Sequence, residues 1–343
     1  MDIKVIGLDL AKNVFQVRGM NAAGKMLYNR QLKRREVLAF FATQPPCLVG
    51  LEACSGGHYW VREIVRAGGH RIKLMNPRYI KPFVRTNKSD RVDAQAIAEA
   101  AIRPTIPEVR VKSPEQLDIQ TLVRARELLV SQRTALVNQL RGLLHERGIV
   151  IAQGINRIRA EIPLLLEDAE ANLSALVREI VHDLYTRLQE LDQRISAYDR
   201  RLRQQVVARE EARRLMEVPG VGVVTAAALV AHLGDAKSYR NGRELAASLG
   251  LVPRHTGSGG QAWLGGISKR GDSYLRCLLI HGARAVVTHA HRHQDRLSRW
   301  VAALSARRGK NIATVALANK LARIIWAMLS KGEGYRRYEV AAA

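Results

Sequence analysis

The order of strand and helix signals in the first hundred residues constrains the fold of this 343-residue chain more than any other feature. Short apolar runs bounded by glycine, asparagine or proline indicate strands, and longer runs that are apolar on one face indicate helices. Three strands are predicted in succession, after which helices and strands alternate. The predicted strands cover residues 5–10, 14–17, 25–30, 47–51 and 71–75, and the predicted helices cover residues 34–42 and 58–67 and start again at residue 90.

This order is typical of a ribonuclease-H-like α/β domain, and it positions four acidic residues. Asp9 lies in the first apolar strand, Glu52 ends the fourth, and Asp90 and Asp93 share one face at the start of the last helix. A carboxylate in a buried strand is costly unless it is paired or bound to a metal. Carboxylate oxygens are hard ligands, so we expect these residues to hold Mg²⁺, with Mn²⁺ as an alternative.

The charge of the chain indicates its class of partner. Fifty-five lysines and arginines stand against 31 acidic residues, which gives a net charge of +24. Such an excess is typical of nucleic-acid-binding proteins, although a merely soluble basic protein would share it. A carboxylate cluster in so basic a protein repels phosphate unless a divalent cation lies between them. Metal-assisted attack on a nucleic-acid phosphodiester accounts for both features.

Cysteine usage and hydropathy predict the compartment. Cys47, Cys54 and Cys277 are odd in number and lack metal-ligand spacing, which fits a reducing environment. No run in the sequence approaches the roughly eighteen apolar residues of a transmembrane helix, and no signal segment is recognised at the start. We expect a cytoplasmic protein without a membrane partner.

Residues 113–213 are expected to form a long helical region. Leucines recur at helical spacing through residues 113–150. A near-heptad pattern follows, formed by Leu176, Ile180, Leu184, Leu188, Leu191, Ile195 and Leu202. Two long helices joined around residues 148–163 would make an antiparallel pair or a protruding coiled coil. The region is either a plain spacer or an element of dimerisation or nucleic-acid contact.

The chain is expected to divide into three domains, of which residues 1–112 and 113–213 are the first two. Residues 214–343 are expected to form the third, which is basic and mainly α-helical. Val218-Pro219-Gly220-Val221-Gly222 has the form of a helix-hairpin-helix turn. Gly220 and Gly222 would allow a tight bend and present backbone N–H groups to phosphate. The alternative is an ordinary helix break at glycine and proline.

A glycine-rich segment, residues 256–260, contains a second candidate centre, Ser258. Its bare backbone could approach a phosphate closely, and Arg254, Lys269 and Arg270 are near it in sequence and could offset transition-state charge. Taken by itself, a Gly-Ser-Gly-Gly run is more often a flexible loop.

Five segments, in this order, are similar to the DEDD transposases of bacterial insertion sequences, the one-ten type. That family includes a pilin-gene invertase and bridge-RNA-guided recombinases. The segments are Gly7-Leu8-Asp9-Leu10-Ala11-Lys12, Leu51-Glu52-Ala53, Lys88-Ser89-Asp90-Arg91-Val92-Asp93-Ala94, Val218-Pro219-Gly220-Val221-Gly222, and Ser258-Gly259-Gly260 through Ile267-Ser268-Lys269-Arg270-Gly271-Asp272. The resemblance runs over nearly the whole chain.

The resemblance implies a RuvC-like N-terminal domain, a coiled-coil region and a C-terminal transposase domain. It implies that Asp9, Glu52, Asp90 and Asp93 form the metal site, and that Ser258 is the nucleophile, which forms a covalent phosphoserine link with DNA. It further implies double-stranded donor and target DNA, a structured non-coding guide RNA that pairs with both, and a homodimer that assembles to a tetramer. Each active site would combine parts of two subunits.

Two other functions remain open at the level of sequence. One is a RuvC-type nuclease that hydrolyses junction DNA with metal-bound water and uses Ser258 only as scaffold. The other is a helix-hairpin-helix protein that binds structured nucleic acid without catalysis. A covalent protein–DNA adduct distinguishes the recombinase from both. The four tryptophans are expected in the core or in an interface rather than as base-stacking platforms: Trp60, Trp263, Trp300 and Trp326.

Overall fold

The computed structural model describes residues 3–84 and 90–336, and the chain separates into two compact units, Met1–Ser113 and Pro114–Ala343. The first unit combines a five-stranded sheet with helices. Its elements are β1 (Val5–Asp9), β2 (Val14–Met20), β3 (Met26–Lys33), α1 (Val37–Thr43), β4 (Leu48–Glu52), α2 (Gly57–Gly68), β5 (Arg71–Met75), α3 (Pro77–Ile80) and α4 (Asp90–Ala101). The expected α/β character of this region is confirmed.

The sheet has the strand order β3-β2-β1-β4-β5. The first three strands form an antiparallel meander, and β4 and β5 run parallel to β1. β2 and β3 extend beyond the predicted strands because their pairing continues from Val14 opposite Lys33 to Met20 opposite Met26. Polar residues with weak strand signals are held there by the ladder of a neighbouring strand.

The two faces of the sheet pack against different helices. Alternate residues of a strand point to opposite faces. The buried side chains of Ile6 and Leu8 on β1 join a core with Phe41 of α1 and Ile64 of α2. Val5 instead joins a second core made chiefly by α4. The face of β1 that carries residues 5, 7 and 9 is therefore the one that α4 covers.

The second unit is mainly α-helical, as expected for the C-terminal part of the chain. Its elements are α5 (Pro114–His145), α6 (Ile155–Glu167), α7 (Ala175–Val207), α8 (Glu210–Leu215), α9 (Val223–Leu233), α10 (Gly242–Ser248), β6 (Pro253–Ser258), β7 (Gln261–Ile267), α11 (Ser273–His289), α12 (Arg296–Arg308) and α13 (Lys310–Lys331). The strands β6 and β7 form a separate antiparallel hairpin.

The long helices α5 and α7 pack side by side in antiparallel directions. Arg133 contacts Asp192 at 2.9 Å, and seven residues earlier on α5 Arg126 contacts Asp199, which is seven residues later on α7. The connection between them differs from the simple joint expected around residues 148–163, because it contains α6. Ile158 and Ile162 of α6 are fully buried against the α5–α7 pair, and this packing outweighs the helix-breaking tendency of Pro163.

The ends of α5 and α7 share a core with the helices that follow. Ile119 and Val123 of α5 and Leu202 and Val206 of α7 are buried together with residues of α9, α11 and α13. The contacts therefore gather residues 114–343 into a single unit. A separate boundary near residue 213 stays a prediction.

The sequence expectation that no run approaches a membrane span is not met in full: within the described ranges, one helix is long and apolar enough by length and composition to cross a membrane, Lys310–Lys331. A core helix of a folded domain meets the same criteria. Leu317, Leu321 and Ile325 on this helix are fully buried in the core of the second unit.

Candidate active site

Two of the four predicted acids lie at the same edge and on the same face of the sheet. Asp9 is the last residue of β1 and Glu52 is the last residue of β4, and these strands are parallel neighbours that pair Leu8 with Leu51. A Cβ added to Gly7 or to Gly50 would point into α4. Because residues two apart on a strand share a face, Asp9 and Glu52 also lie on the α4 side.

The pKa of the Cys54 thiol indicates that the carboxylates of Asp9 and Glu52 both lie near it. Burial raises its pKa above the ordinary value, and the negative charges of Glu52 and Asp9 raise it further. The turn after β4 brings the thiol back toward the edge, since the backbone N–H of Cys54 donates to the Glu52 carbonyl at 2.9 Å. The thiol is therefore adjacent to a negatively charged pair. The sequence interpretation missed this residue, although its position two residues after Glu52 was a usable signal.

The helix that carries the other two acids crosses the sheet in direct contact with β1. An added Cβ on Gly7 would lie 2.1 Å from the Ala94 carbonyl oxygen, and one on Gly50 would lie 2.7 Å from the Cβ of Ala101. Glycine is required at both positions because no side chain fits under α4. Asp93 directly precedes Ala94, so the first turn of α4 begins next to the strand that carries Asp9.

The four acids do not form a closed cluster. In the part of the chain that the structure describes, no three acidic, histidine or cysteine side chains come together as a group that could hold a metal ion. Asp90 is exposed and Asp93 is half-buried at the first turn of α4. Lys88 and Ser89, which precede them in the matched segment, lie outside the described residues. The oxygen donors of Asp9 and Glu52 suit a divalent cation in chemistry and in placement, and Asp90 and Asp93 lie in the first turn of α4, the helix that contacts Gly7 of β1.

Ser258 lies at the tip of a hairpin rather than in the loose loop that the glycine-rich sequence suggests. It ends β6 and pairs with Gln261 of β7 across a two-residue turn. Gly259 and Gly260 form the turn with φ angles of 58° and 80°, the positive values that the favoured two-residue hairpin turns require. Every residue of β6 is exposed. The serine hydroxyl is thus presented to solvent on a short, paired strand.

Arg254 lies on β6, the strand that Ser258 ends, whereas Lys269 and Arg270 are near Ser258 in sequence but not in space. Pro253 pairs with Ile267 at the base of the hairpin, whereas Ser258 is at the tip, roughly 17 Å away at the rise of an extended strand. Lys269 and Arg270 follow the base. Lys269 has a φ of 54°, which is uncommon for a residue with a side chain, and its N–H donates to the Gly250 carbonyl at 3.1 Å. Within one chain Lys269 and Arg270 do not flank the serine.

The predicted glycine turn joins α8 and α9 and packs against α11. Gly220 has a φ of 84°, and an added Cβ would lie 2.6 Å from the Gly282 carbonyl oxygen, so the turn touches the backbone of α11. Gly222 is the N-cap residue of α9 and has open space around it. The N-terminus of α9 therefore carries no side-chain cap and is open at its cap residue, as a phosphate contact would require. Whether this turn binds nucleic acid stays a prediction.

The tryptophans occupy different environments. Trp60 is buried, and the Trp326 Nε1 donates to the Ala236 and Tyr239 carbonyls. Trp263, on β7, is 58% exposed. It therefore does not lie in the core, because both faces of the hairpin are open in this structure, and the alternative of an interface stays a prediction.

Comparison with known proteins agrees with the arrangement of the sheet and the order of the motifs. A DEDD transposase family model matches residues 6–148, and a model described as "Transposase IS116/IS110/IS902 family" matches residues 212–298. The chain is 48% identical to a probable family 20 transposase of Pseudomonas aeruginosa, over 98% of this chain and 99% of the relative.

Two further relatives extend the comparison. The transposase for insertion sequence element IS1111A of Coxiella burnetii is 44% identical over 98% of this chain and 92% of its own length. A pilin gene-inverting protein of Moraxella bovis is 24% identical over 55% of this chain and 51% of its own length. The resemblance read from the motifs is confirmed. The chain belongs to the IS116/IS110/IS902 family of transposases.

Proposed function

We propose that this transposase cleaves and rejoins DNA through a covalent link between Ser258 and a DNA phosphate, at sites chosen by a structured RNA. The observation that carries the proposal is the position of Ser258, exposed at the tip of a hairpin between glycines. A relative named as a pilin gene-inverting protein supports a reaction that rejoins DNA as well as cutting it.

The serine chemistry balances without an external energy source. The Ser258 Oγ attacks the phosphorus and forms an Oγ–P ester, while the ester bond from phosphorus to the leaving strand oxygen breaks. The proton lost by the serine is taken up by the leaving oxygen. A hydroxyl of a second strand reverses these steps and releases the serine, so the number of phosphate esters is unchanged throughout. A Cβ added to Gly259 or Gly260 would meet no atom within 4 Å, so the turn beside the hydroxyl is open.

A divalent cation is proposed at the edge of the sheet, with Asp9 and Glu52 as its principal ligands and Asp90 and Asp93 as further ligands from α4. Mg²⁺ or Mn²⁺ matches this set of oxygen donors. When bound, such an ion supplies positive charge that lets phosphate approach the carboxylates and stabilises an oxygen that gains negative charge. The carboxylates of Asp9 and Glu52 would hold and orient it from two adjacent strands.

The acids and the serine belong to different units of the chain, so we propose that active sites assemble between subunits. A homodimer that pairs into a tetramer would supply the complementary halves. The α5–α7 pair is the proposed coiled-coil element of that assembly. On α7, buried Val181, Leu188, Ile195 and Leu202 recur every seven residues, the spacing of coiled-coil seams.

Nucleic-acid contacts are proposed for the rest of the basic surface. The turn at Gly220 and Gly222 would act as a helix-hairpin-helix contact to the backbone of DNA or RNA. Arg254, Lys269 and Arg270 would contact phosphates along or below the hairpin rather than the phosphate at Ser258. The net charge of +24 supports a partnership with both duplex DNA and a guide RNA.

The decisive experiment replaces Ser258 by alanine. The purified protein with its RNA is incubated with Mg²⁺ and DNA that carries the ends of its own insertion element, and adducts are separated under denaturing conditions. The unmodified protein should form a covalent protein–DNA species, and Ser258→Ala should form none while binding DNA and RNA normally. Thr256→Ala, which removes a hydroxyl two residues away on the same strand, should retain adduct formation. Strand joining by Ser258→Ala would overturn the serine mechanism.

A nuclease without a covalent intermediate is the second candidate function. It is favoured by the carboxylate pair at Asp9 and Glu52, which the first unit forms without any part of the hairpin. In the same experiment, metal-dependent nicking by both the unmodified protein and Ser258→Ala, without adducts, would identify that activity.

A further inference from the structure

We propose that a groove between α12, α13 and the segment after α13 binds one unpaired nucleotide of the RNA partner. This α12–α13 groove has a volume of about 470 Å³, which lies within the range of small-ligand sites. It belongs to the second unit and uses none of the residues discussed above as catalytic. The proposal deepens the RNA partnership of the proposed function and rests on it.

The groove offers flat aromatic and apolar surfaces. Trp300 of α12 and Tyr335, after α13, both line it, and both are half-buried. Ile324 and Met328 of α13 contribute apolar walls between them. Aromatic side chains beside an apolar cavity provide stacking surfaces for a nucleobase. The proposal therefore assigns Trp300 the base-stacking role in place of the core or interface position expected from sequence.

The rim of the groove is strongly cationic. Arg296, Lys320 and Lys331 line it, and over residues 3–84 and 90–336 none of them forms an ion pair with a carboxylate. Two acids line the groove as well, beside the three cations and Arg336. Asp295 caps α12 through the N–H groups of Leu297 and Ser298, and Glu333 contacts Arg336 at 3.5 Å.

The ammonium of Lys320 is held beside the aromatic surface, where it would attract the phosphate of a bound nucleotide. Its ammonium lies 4.3 Å from the centre of the Trp300 ring, a cation–π contact that fixes the charge beside the aromatic surface. Burial lowers the pKa of Lys320, and the neighbouring charges of Arg296 and Arg323 lower it further. Cations outnumber carboxylates in the lining, so an anion placed beside Arg296, Lys320 and Lys331 is stabilised.

The wall after α13 is fixed by hydrogen bonds. Arg214 donates to the Gly332 carbonyl, and the Tyr335 N–H donates to the Glu217 carboxylate at 2.8 Å. The Glu333 N–H donates to the Met328 carbonyl at 3.1 Å. Tyr335 therefore stands in a preformed position, and ligand binding does not have to order this segment.

The chemistry of the groove selects the ligand. Cations beside aromatic and apolar walls suit a phosphate joined to a flat heterocycle, which is a nucleotide. A base reaches such a cavity only when it is unstacked, and proteins read unpaired RNA bases in this way. The DNA substrates of the proposed reaction are duplexes with stacked bases, whereas a structured RNA has loops. RNA is accordingly the assigned source.

The test measures binding of a fluorescein-labelled octamer of uridine RNA to the nuclease-treated full-length protein by anisotropy. Trp300→Ala and Lys320→Ala should each weaken binding by about tenfold, the loss expected for a stacking or phosphate contact. Trp300→Phe keeps an aromatic ring and should stay within about twofold of the unmodified protein. Arg299→Ala is the matched control, because Arg299 is an exposed cation of the same helix that does not line the groove.

Three results would overturn the proposal. If Trp300→Ala and Lys320→Ala bind the uridine octamer with unchanged affinity, the groove binds no nucleotide. Equal losses in Arg299→Ala and Lys320→Ala mean that only general charge matters. An octamer of thymidine DNA that binds as tightly, with the same dependence on Trp300, moves the source from RNA to single-stranded DNA. Failure of RNA guidance is detected separately, as full recombination by nuclease-treated protein, and failure of the serine mechanism as strand joining by Ser258→Ala.

Discussion

At the scale of single residues, the edge of the sheet is organised around two carboxylates and a thiol. Asp9 and Glu52 end parallel strands, and Cys54 follows them closely enough for both charges to raise its pKa. A raised pKa keeps the thiol protonated at neutral pH. The reactivity of Cys54 therefore reports the charge at this edge without any need for catalytic activity.

We predict that Mg²⁺ or Mn²⁺ accelerates alkylation of Cys54 by iodoacetamide at pH 8. A bound cation offsets the negative charges, lowers the pKa of the thiol toward its ordinary value and increases the thiolate fraction. A pKa decrease of half a unit would give about a threefold faster reaction. The rate is measured by mass spectrometry of the peptides that contain each cysteine.

Two built-in controls accompany this measurement. Exposed Cys277 should react at a rate independent of the metal, and Cys47, whose pKa burial raises to about 11, should react little. Asp9→Asn should accelerate alkylation of Cys54 without metal and reduce the effect of adding it. Identical Cys54 rates with and without metal would count against a cation site at Asp9 and Glu52.

At the scale of elements, α4 depends on two glycines of the strands beneath it. Gly7→Ala should destabilise the first unit by about 1–3 kcal/mol, the usual cost of overpacking a core. The added Cβ would lie 2.1 Å from the Ala94 carbonyl oxygen, so the helix must move away from β1. Urea unfolding followed by circular dichroism measures the change.

Gly142→Ala provides the opposite control. Gly142 lies within α5 with no atom within 4 Å of an added Cβ, so alanine should stabilise that helix by about 0.5–1 kcal/mol. A neutral result for Gly7→Ala would mean that α4 does not lie tightly on β1.

The helices α5, α6 and α7 are joined by one shared carboxylate. Asp192 of α7 accepts from Arg133 of α5 at 2.9 Å and from Arg159 of α6 at 2.8 Å. Asp192→Ala should lower the free energy of unfolding by about 1–2 kcal/mol, because two charged hydrogen bonds are lost in a partly buried position. Thermal unfolding of the variant measures this effect.

Glu190→Ala is the comparison for Asp192→Ala. Glu190 pairs with Arg187 on the same helix, and both side chains are about half exposed, so its removal should change stability by less than about 0.5 kcal/mol. Equal effects of the two substitutions would show that Asp192 does not fasten α6 to the long helices.

At the scale of the whole molecule, the acids and the serine lie in separate compact units. We predict that Asp9→Asn and Ser258→Ala proteins are each inactive and that a mixture of the two recovers part of the recombination activity. Each defective subunit would supply the half that the other lacks. Gel analysis of recombined DNA across mixing ratios gives the measurement.

The mixing experiment separates two questions. A mixture without activity, beside adduct formation by the unmodified protein, would contradict sharing of the site between subunits and leave the serine mechanism in place. Activity of Asp9→Asn alone in Mg²⁺ would instead remove Asp9 from the metal site.

The sequence by itself determined the order of elements in the first unit and the strand positions of Asp9 and Glu52. Alternation of apolar runs is local information, and each run was long enough to identify its strand. The glycines of residues 256–260 predict a loop, because glycine is common in loops. The structure uses two of them for the positive φ angles of a hairpin turn instead. Local sequence does not distinguish a flexible loop from a hairpin turn, because pairing with β7 decides between the two.

Only the tertiary structure decided which residues are neighbours. The hairpin register placed Lys269 and Arg270 at the opposite end from Ser258, and α6 entered a region that periodicity predicted as a connection. The α12–α13 groove joins Trp300, Lys320 and Tyr335, which no sequence spacing relates. Helix and strand propensities depend on a few adjacent residues, whereas a site depends on side chains that packing brings together from distant parts of the chain.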